Sequence, residues 1–523
     1  MGLGKTIQTI AFLLYLKEQG NVGPHLIVAP KSTLSNWESE FCRFAPCVPV
    51  HLVSGEDRAK ARAAVQNLRA GVCVTNFEQV HRNEWFFQTA WKVVVVDEGH
   101  RLKNPETVLH GAMTRLKCQM RLLLTGTPLQ NGLNELWALL HYLLPDIFTC
   151  LMDFKAWFST PFKSVGFNEL TVHMDAEQEQ RVIEKMHAML APFLLQRLKS
   201  EVLVDLPPKV EVTVRVPLSA WQRSAYKDLE RRTIRLMSGS SSSSEVVNNA
   251  LMHLRKIVLH PYLFQASYER NKDLYRVSGK AEVFDRMLGK LLAREHKVLV
   301  FSQFTTVLDV LQDLLEWRQI AYVRLDGSVS HEQRQKRVER FREDPTLMVF
   351  LLSARAGGLG LNLQVADTVV LFDLDWNPQN DRQAVARVHR VGQTHDVRVI
   401  RLVSDSAVER YMEKRCREKL DIERKIMGAG VFRKATGEQR RDILQEVFLS
   451  LREDEDDESA ERALTTPAEL NQLLARTSEE LECFRALDRD MFQGDAESVC
   501  LVRHDRLMRE SEVPIGFTTF TDE

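Results

Sequence analysis

The stretch Val93-Val94-Val95-Val96-Asp97-Glu98 decides the fold that this sequence predicts. Four β-branched residues in a row, with no polar residue between them, are typical of a strand buried on both faces of a parallel sheet. Other apolar runs lie before and after it in the chain, at residues 26–29 and 122–124. Helix-like patterns separate the three runs, as the crossover connections of parallel strands require. The sequence therefore predicts an α/β lobe over residues 1–150.

A second series of apolar runs begins near Lys280. Its inner strands are expected at residues 298–301, 349–352 and 369–372. The same physical argument applies to these runs, because a strand without polar alternation must be covered on both faces. They predict a second parallel-sheet lobe over residues 276–430, so the expected fold class is α/β with two similar lobes.

The segments outside the two lobes have different patterns. Residues 151–275 are predicted to be mostly helical, apart from a flexible Ser-rich loop at residues 238–244. After residue 430 the strand patterns end, and an acidic run at residues 453–458 precedes further helical patterns. Residues 431–523 are therefore predicted to form a mostly helical or disordered acidic tail.

The composition argues against several classes of protein. The chain has 523 residues, and none of its apolar runs approaches the roughly 18 residues of a membrane-spanning helix. Its eight Cys include no C-x-x-C, which argues against a disulfide framework or a zinc ribbon and favours reduced thiols in an intracellular protein. The first residues lack the charged and apolar regions of a secretory signal, so none is expected.

A candidate phosphate-binding loop stands at the start of the chain, where Gly2-Leu3-Gly4-Lys5-Thr6 precedes the helix-like segment 7–16. Glycines let backbone N–H groups approach phosphate oxygens, and the N-terminus of a helix adds partial positive charge. In such a loop Lys5 would reach the β- and γ-phosphates, and the Thr6 hydroxyl would bind Mg²⁺. The alternative is an ordinary glycine turn at the start of a helix.

Two acidic residues follow the four valines directly. Ligands of parallel α/β sheets bind at the carboxyl edge, where Asp97 and Glu98 are expected. One carboxylate can hold Mg²⁺, and the next can polarise an attacking water molecule. The alternative is a solvated strand end, but the loop at Gly2–Thr6 about 90 residues earlier favours a phosphate site.

Six motifs resemble those of superfamily 2 helicase-like ATPases, in the version of the Swi/Snf-type chromatin-remodelling ATPases. The first lobe carries Gly2–Thr6, Asp97–His100 and Leu124–Asn131, and the second carries Ser353–Asn362, Asp375–Pro378 and Gln383–Gln393. The last motif is highly specific. The resemblance covers residues 1 to about 430 and, more weakly, the tail, and it is closest to the brahma-like branch.

This resemblance implies two RecA-like lobes that close on ATP and Mg²⁺. The implied cofactor-binding residues are Gly2, Gly4, Lys5, Thr6, Gly358 and Gly360, and the implied metal ligands are Thr6 and Asp97. The implied catalytic residues are Lys5, Asp97, Glu98, Gln383, Arg387 and Arg390.

Arg387 and Arg390 would be arginine fingers supplied by the second lobe. Their spacing predicts that both guanidinium groups lie on one face of a helix. There they could stabilise the charge that develops on a transferring phosphoryl group. The alternative is a solvated basic face of a helix.

The resemblance also implies residues that contact DNA or couple the lobes. The implied DNA-binding residues are Lys31, Ser32, Thr33, Thr75, Arg355 and Trp376, and the implied coupling residues are His100, Thr125 and Thr127. Trp376 would wedge or stack at the duplex groove, or it would cap the core of its own lobe. His100 would couple to the Thr125 motif, or it would join a γ-phosphate network.

The function implied is that of an ATP-dependent translocase on double-stranded DNA that remodels nucleosomes in the nucleus. Its expected partners are double-stranded DNA, histones and other subunits of a remodelling complex, without a membrane. Two alternatives stay open: an ATPase-deficient nucleosome-binding subunit, and a DNA-repair or transcription translocase that handles no histones. The ATPase-deficient alternative arises because the sequence starts inside the phosphate loop and so lacks the strand that precedes this loop in the family. Weakened ATP binding is therefore expected.

The tail resembles the histone-anchoring region of the brahma-like branch at residues 428–451 and 463–490. Residues 431–523 hold 12 Lys+Arg and 23 Asp+Glu, a net charge of −11. Residues 1–430 hold 58 Lys+Arg and 48 Asp+Glu, a net charge of +10, so the total of −1 conceals two opposite halves. The basic part suits a phosphate-tracking cleft. The acidic part suits a basic histone surface, or it is a solvated linker.

Overall fold

The computed structural model describes residues 2–54, 58–126, 133–154, 192–195, 197, 199–203, 205–238, 244–265, 267–354, 361, 363–427, 464–492 and 506–513. The chain divides into two compact units, residues 1–204 with 418–434 and residues 205–417 with 435–523. No helix within the described ranges is long and apolar enough to cross a membrane.

The first unit contains a five-stranded parallel sheet. Its strands are β1 (His25–Ala29), β2 (Val50–Val53), β3 (Val72–Asn76), β4 (Trp91–Asp97) and β5 (Cys118–Leu124). Their order across the sheet is β2-β3-β1-β4-β5. The three apolar runs of the sequence are thus confirmed as β1, β4 and β5, which are neighbours in the sheet.

Both faces of this sheet are covered, which explains the lack of polar alternation. Along β4, Val94 and Val96 pack into one core cluster, whereas Val93 and Val95 pack into another. All four valines are at most 1% exposed. Because successive side chains of a strand point to opposite faces, one run of valines contributes to two cores.

Helices and short turns connect these strands. The helices are α1 (Lys5–Glu18), α2 (Leu34–Phe44), α3 (Arg58–Gln66), α4 (Phe77–Arg82), α5 (Trp85–Gln88), α6 (Val108–Thr114), α7 (Leu133–Leu143) and α8 (Lys199–Val202). Two 3-10 turns lie at Lys31–Thr33 and Gly99–Leu102. Local sequence sets some helix starts: the Asn76 side chain accepts a hydrogen bond from the backbone N–H of Gln79 and so begins α4.

The second unit contains a six-stranded parallel sheet. Its strands are β6 (Lys209–Val216), β7 (Val298–Ser302), β8 (Tyr322–Leu325), β9 (Val349–Ser353), β10 (Thr368–Leu371) and β11 (Val397–Ser404), in the order β6-β11-β10-β7-β9-β8. The predicted inner strands are confirmed as β7, β9 and β10. Strand β6 was not expected, since it lies in the segment predicted to be mostly helical. It is an edge strand that alternates polar and apolar residues, and a half-exposed strand permits such alternation.

The helices of the second unit cover both faces of its sheet and extend into the C-terminal part of the chain, and residues 418–427 of the helix Ala407–Met427 are assigned to the first unit. The helices are α9 (Ala220–Ser238), α10 (Ser244–Leu259), α11 (Asp273–Arg276), α12 (Gly279–Ala293), α13 (Thr305–Trp317), α14 (His331–Glu343), α15 (Pro378–Val385), α16 (Ala407–Met427), α17 (Pro467–Leu474) and α18 (Ser478–Phe492). Further 3-10 turns lie at Pro261–Phe264 and Glu510–Glu512. Residues 239–243 of the Ser-rich segment lie outside the described residues.

The described part of the tail belongs to the second unit. Leu470, Leu474, Phe484 and Met508 are all buried in the same core cluster as residues of β7 and α12. Thr465 also exchanges hydrogen bonds with the backbone of the edge strand β6. Residues 464–492 and 506–513 therefore complete the apolar core of the second unit, a role that the resemblance to a histone-anchoring region did not predict.

Several acidic side chains of the tail are used inside this unit. Asp488 is 2% exposed and accepts a hydrogen bond from the buried Lys290 at 2.8 Å. Glu512 forms an ion pair with Arg276 at 2.7 Å. These two acids balance cations of the second unit, so part of the acidity of residues 464–492 and 506–513 has a structural use. The predicted acidic run at residues 453–458 lies outside the described residues.

A buried histidine makes the second unit sensitive to acid. His260, between α10 and the turn Pro261–Phe264, is 1% exposed. Its Nδ1 accepts a hydrogen bond from the backbone N–H of Tyr262 at 3.2 Å, and its Nε2 lies 2.8 Å from the Leu274 carbonyl oxygen. The ring is therefore neutral, with its proton on Nε2. Burial lowers the pKa of His260 from 6.5 to about 4.

This lowered pKa predicts a specific pH dependence. Because the unfolded chain binds a proton on His260 near pH 6.5 and the folded unit does not, the stabilisation is complete above pH 6.5 and is lost as the pH falls toward 4. We expect the free energy of unfolding to fall by roughly 2 kcal/mol between pH 7.5 and pH 5 from this group. Urea unfolding at both pH values measures it. His260→Gln should flatten the dependence, whereas the exposed His395→Gln should not; equal slopes in both variants would contradict the assignment.

Candidate functional site

The carboxyl edge of the first sheet brings the predicted residues of the first lobe together. Strands β1, β4 and β5 are parallel neighbours, so their C-terminal ends lie at one edge. The 3-10 turn Lys31–Thr33 follows β1, Asp97 ends β4, and Thr125 follows β5. Helix α1 begins at Lys5, close enough to this edge for the Lys5 ammonium charge to oppose the rise in the pKa of Asp97 that burial causes.

The start of α1 has the backbone conformation of an anion-binding turn. Gly2 and Gly4 both have φ of 73°, in the left-handed region that favours glycine. Gly4 occupies the N-cap position and, as a glycine, has no side chain that could bond to the first turn. The first N–H groups of the helix therefore lack a side-chain cap and are suited to an anion. Lys5 and Thr6 lie half-buried in this first turn.

Asp97 is held by two hydrogen bonds. Its Oδ1 accepts the backbone N–H of Glu98 at 3.0 Å, and its Oδ2 accepts the indole N–H of Trp37 at 3.1 Å. Burial and the neighbouring Glu98 charge raise the pKa of Asp97, while Lys5 and the two N–H donors oppose the rise. A half-buried carboxylate under the influence of a cation, at the end of an inner strand, is typical of a functional site.

Glu98 adopts an unusual backbone conformation. Its φ of 53° and ψ of 54° place a non-glycine residue in the left-handed region, which costs about 1–2 kcal/mol. The next residue, Gly99, lies close to β5, and the absence of a side chain permits this approach, because a Cβ on Gly99 would lie 3.0 Å from the Leu123 side chain. The Glu98 carboxylate lies 3.3 Å from Nδ1 of His100. The turn thus places an acid, at the cost of strain, beside an imidazole at the sheet edge.

The oxygen atoms at this edge fit a nucleotide with Mg²⁺. Mg²⁺ prefers hard oxygen ligands and is usually bound through one or two carboxylates together with substrate phosphates. The Asp97 carboxylate and the Thr6 hydroxyl supply that chemistry, and Lys5 with the first turn of α1 suits phosphate oxygens.

Other residues predicted for the first lobe have different surroundings. Lys31 is exposed, Ser32 is half-buried, and the Thr33 hydroxyl donates to the Pro30 carbonyl oxygen at 2.9 Å. Thr75 is fully buried, and its hydroxyl donates to the Val53 carbonyl oxygen at 2.9 Å. That placement argues against the predicted DNA contact by Thr75, because its hydroxyl serves to join β3 to the neighbouring β2. Thr127 lies outside the described residues.

The arginines of the second unit are not arranged as predicted. Helix α15 ends at Val385, and Arg387 and Arg390 lie in the turns that follow it. The prediction that both lie on one helix face is therefore wrong. The side chain of Gln393 bonds to this region, since its Nε2 donates to the Ala366 carbonyl oxygen at 2.9 Å and to the Val388 carbonyl oxygen at 3.3 Å. These bonds stabilise a tight turn in place of further helix.

The turn still presents both arginines from a rigid base. Both side chains are half-buried, and Val388 between them is fully buried in the core. Gln383, in the last turn of α15, is 9% exposed. The buried Val388 anchors the segment that carries the two half-buried arginines. Arg355, Gly358 and Gly360 lie outside the described residues.

Trp376 packs against its own unit. Its ring meets Tyr411 edge to face, with 6.1 Å between the ring centroids, and borders a core cluster that contains Leu374 and Met412. Nearby, burial raises the pKa of Asp373 to about 6 and, together with the charge of Asp375, raises the pKa of Asp381 well above its usual range. The geometry favours the alternative in which Trp376 caps the core of the second unit.

Trp37 is a neighbour of the site that sequence reasoning missed. It lies on α2, 60 positions before Asp97, and is 1% exposed. The available signal was its chemistry: a buried indole N–H requires an acceptor. Which acceptor it finds depends on how α2 packs on the sheet, and no local pattern encodes that packing.

Two family models match the chain. One, described as an SNF2-related domain, matches residues 1–263. The other, described as a helicase conserved C-terminal domain, matches residues 279–392. Together they cover most of the two parallel-sheet lobes.

Individual relatives agree with these models. The ATP-dependent helicase brm of Drosophila melanogaster is 42% identical over 550 residues, which cover 100% of this chain and 33% of the relative. The SWI/SNF chromatin-remodeling complex subunit snf22 of Schizosaccharomyces pombe is 39% identical over 512 residues, 95% of this chain and 30% of the relative. The chain thus spans about half or less of the length of its curated relatives. A solved SWI2/SNF2 ATPase core of Sulfolobus solfataricus in complex with dsDNA is 29% identical, covering 87% of this chain and 90% of that one, with a TM-score of 0.38.

Proposed function

The chain belongs to the SNF2-related family, and from this premise we propose that it is an ATP-dependent translocase on double-stranded DNA that remodels nucleosomes. One observation in the first unit carries the proposal. The glycine turn that begins α1 and the carboxylates of Asp97 and Glu98 lie at one sheet edge, where the charge of Lys5 acts on Asp97. That combination suits the cleavage of a phosphoanhydride bond more than simple binding.

The residues of the first unit divide the work of ATP hydrolysis. Lys5 and the N–H groups at the start of α1 bind the β- and γ-phosphates. Thr6 and Asp97 would hold Mg²⁺, which when bound neutralises negative charge on those phosphates. Glu98 orients the attacking water and takes its proton, and the strained turn keeps its carboxylate beside the sheet edge. His100, 3.3 Å from Glu98, would report this state to the Thr125 segment.

The second unit would complete the reaction. Arg387 and Arg390 are suited to stabilise negative charge on the transferring phosphoryl group, since a guanidinium is planar, permanently charged and a multiple donor. The buried Gln383 would position them from the end of α15. A contribution to nucleotide binding by Gly358 and Gly360 remains a prediction.

DNA would be bound through its phosphates. The turn Lys31–Thr33 places the exposed Lys31 after β1, and its cation suits a phosphate contact that is independent of base sequence. Contacts by the Ser32 hydroxyl, which is buried, and by the Thr33 hydroxyl, which donates to Pro30, remain predictions. Arg355 is retained as a predicted contact of the second lobe. Trp376 is retained only as a residue that shapes this surface, because its ring packs on Tyr411.

The nucleosome as substrate is supported by the relatives. The printed name of the relative snf22 describes a subunit of a chromatin-remodelling complex. We therefore propose a nuclear location and association with other subunits and with histones.

A second candidate is a translocase that acts on DNA without handling histones. It is favoured by one observation: residues 464–492 and 506–513, which resemble part of a histone-anchoring region, pack into the core of the second unit. ATPase measurements with naked DNA and with nucleosomes distinguish the two. Equal stimulation by both, with no nucleosome sliding, would support the second candidate.

The proposed function is tested by steady-state ATPase activity with and without double-stranded DNA. We expect DNA to stimulate hydrolysis by the wild-type chain, and Arg390→Ala to lower kcat by about 10³-fold or more, because an arginine finger acts in the transition state. Arg382→Ala, an exposed arginine on α15, is the matched control and should keep wild-type activity. Displacement of a triplex-forming strand measures translocation. A wild-type chain that neither hydrolyses ATP nor responds to DNA would contradict the proposal.

A further inference from the structure

The side chain of the buried Trp37 has a single hydrogen-bond donor, its indole N–H, which is directed at Asp97, the acid expected to bind Mg²⁺. Trp37 is 1% exposed, and its indole N–H donates to Oδ2 of Asp97 at 3.1 Å. The ring also packs against Phe41, whose ring centroid lies 6.4 Å away. The direction of the N–H is therefore set by packing in the core and not by solvent.

The indole donor comes from a helix that is separate from the strand carrying Asp97. Asp97 ends β4, and its Oδ1 is bonded to the backbone N–H of the adjacent Glu98. Its Oδ2 is bonded instead to a side chain of α2, 60 positions earlier in the chain.

The two hydrogen bonds also fix the rotation of the carboxyl group. Oδ1 is bonded to the Glu98 backbone and Oδ2 to Trp37, so the plane of the group is defined at both oxygens. Partners that orient a ligand in this way typically change metal affinity or activity by about 10- to 100-fold when they are removed.

We propose that Trp37 is a positioning residue of the nucleotide site, which holds the Asp97 carboxylate in the orientation that would bind Mg²⁺ with ATP. This inference rests on the proposed ATPase function. It adds a buried residue of α2 to a site that is otherwise formed by the loop at Gly4–Thr6 and the end of β4.

The chain provides a matched control for the test. Trp91 lies in the same unit, is also 1% exposed, and donates its indole N–H to the Phe86 carbonyl oxygen at 2.9 Å. Trp37→Phe and Trp91→Phe each remove one buried indole N–H and the same volume. They differ in that only the first removes a donor to Asp97, so a general effect on folding should appear in both variants.

Mg²⁺-dependent binding provides the first readout. The affinity of a fluorescent ATP analogue is measured with Mg²⁺ and with EDTA. We expect the wild type and Trp91→Phe to bind the analogue more tightly with Mg²⁺ than with EDTA. For Trp37→Phe the affinity with Mg²⁺ should be about 10-fold lower than that of the wild type, whereas the affinity in EDTA should be the same. The Mg²⁺ concentration for half-maximal ATPase activity should rise by a similar factor, with kcat largely recovered at saturating Mg²⁺. Identical Mg²⁺ responses of both Phe variants would overturn the inference.

A spectroscopic readout does not require activity. The indole ¹H–¹⁵N signal of Trp37, identified by its loss in Trp37→Phe, should shift in Asp97→Asn and stay in place in Trp91→Phe. An unchanged signal in Asp97→Asn would also overturn the inference. If the wild type binds no Mg²⁺–nucleotide but this signal shifts in Asp97→Asn, the hydrogen bond is present and the proposed ATPase function fails. Failure of the proposed function is thus distinguishable from failure of the Trp37–Asp97 hydrogen bond.

Discussion

Glu98→Gln is expected to lower the kcat for DNA-stimulated ATP hydrolysis by about 10²–10⁴-fold, the usual contribution of a general base. The substitution keeps the size and polarity of the side chain but removes its ability to accept a proton from water. Because Lys5, Thr6 and Asp97 are untouched, the KM for ATP should change only a few-fold. Steady-state kinetics at saturating double-stranded DNA measure both constants.

Stability provides a check on this result. The strain at Glu98 comes from its φ of 53°, which any non-glycine residue would share, so Glu98→Gln should unfold at the wild-type temperature. The exposed Glu84→Gln, in the same lobe, should keep wild-type kcat. A Glu98→Gln variant that retains more than about a tenth of kcat would remove Glu98 from the role of base.

Asp488→Ala is expected to cause the largest loss of stability, about 3–5 kcal/mol in the second unit. The substitution leaves Lys290, which is 0% exposed, without its carboxylate partner. Burial already lowers the pKa of Lys290 to about 8, with Asp488 opposing that shift. Asn471 bonds to both groups, at 2.5 Å to the Lys290 ammonium and 2.7 Å to Asp488, but it carries no charge to replace the lost one.

Thermal unfolding measures this effect, with a shift in the midpoint of the second unit of roughly 10 °C. The triple substitution Lys290→Met, Asn471→Leu and Asp488→Leu should recover most of the loss, because it removes both charges together with the buried amide that bonds to them. Glu482→Ala, at an exposed position of α18, should leave the midpoint unchanged. Equal midpoints for Asp488→Ala and the wild type would show that α18 does not pack on Lys290 in solution.

The position of the tail affects how its function can be tested. Removing all residues after 430 would take Leu470, Leu474 and Phe484 out of a buried core and would leave Lys290 unpaired. A loss of nucleosome sliding in such a truncation would therefore report damage to the second lobe as well as any loss of histone contact. Substitutions outside residues 464–492 and 506–513 are the cleaner test of histone binding.

Local pattern was sufficient for some features and not for others. The valine run of β4 predicted a two-face-buried strand because no other environment accommodates four consecutive β-branched residues so well. The motif from Gln383 to Gln393 predicted two arginines in one region, but not the turn that carries them. That turn depends on hydrogen bonds from Gln393 to carbonyl groups up to 29 positions away, and helical spacing carries no information about such bonds.

The sequence by itself determined the two parallel sheets and the edge at which Lys5, Asp97 and Glu98 meet. Burial on both faces forces apolar runs, and parallel strands bring the residues that follow them to one side. Only the tertiary structure decided that Trp37 holds Asp97, 60 positions away, that Thr75 is buried, and that Asp488 neutralises Lys290, 198 positions away. The physical reason is that such contacts depend on how helices pack against a finished sheet, whereas strand burial is recorded in the strand itself.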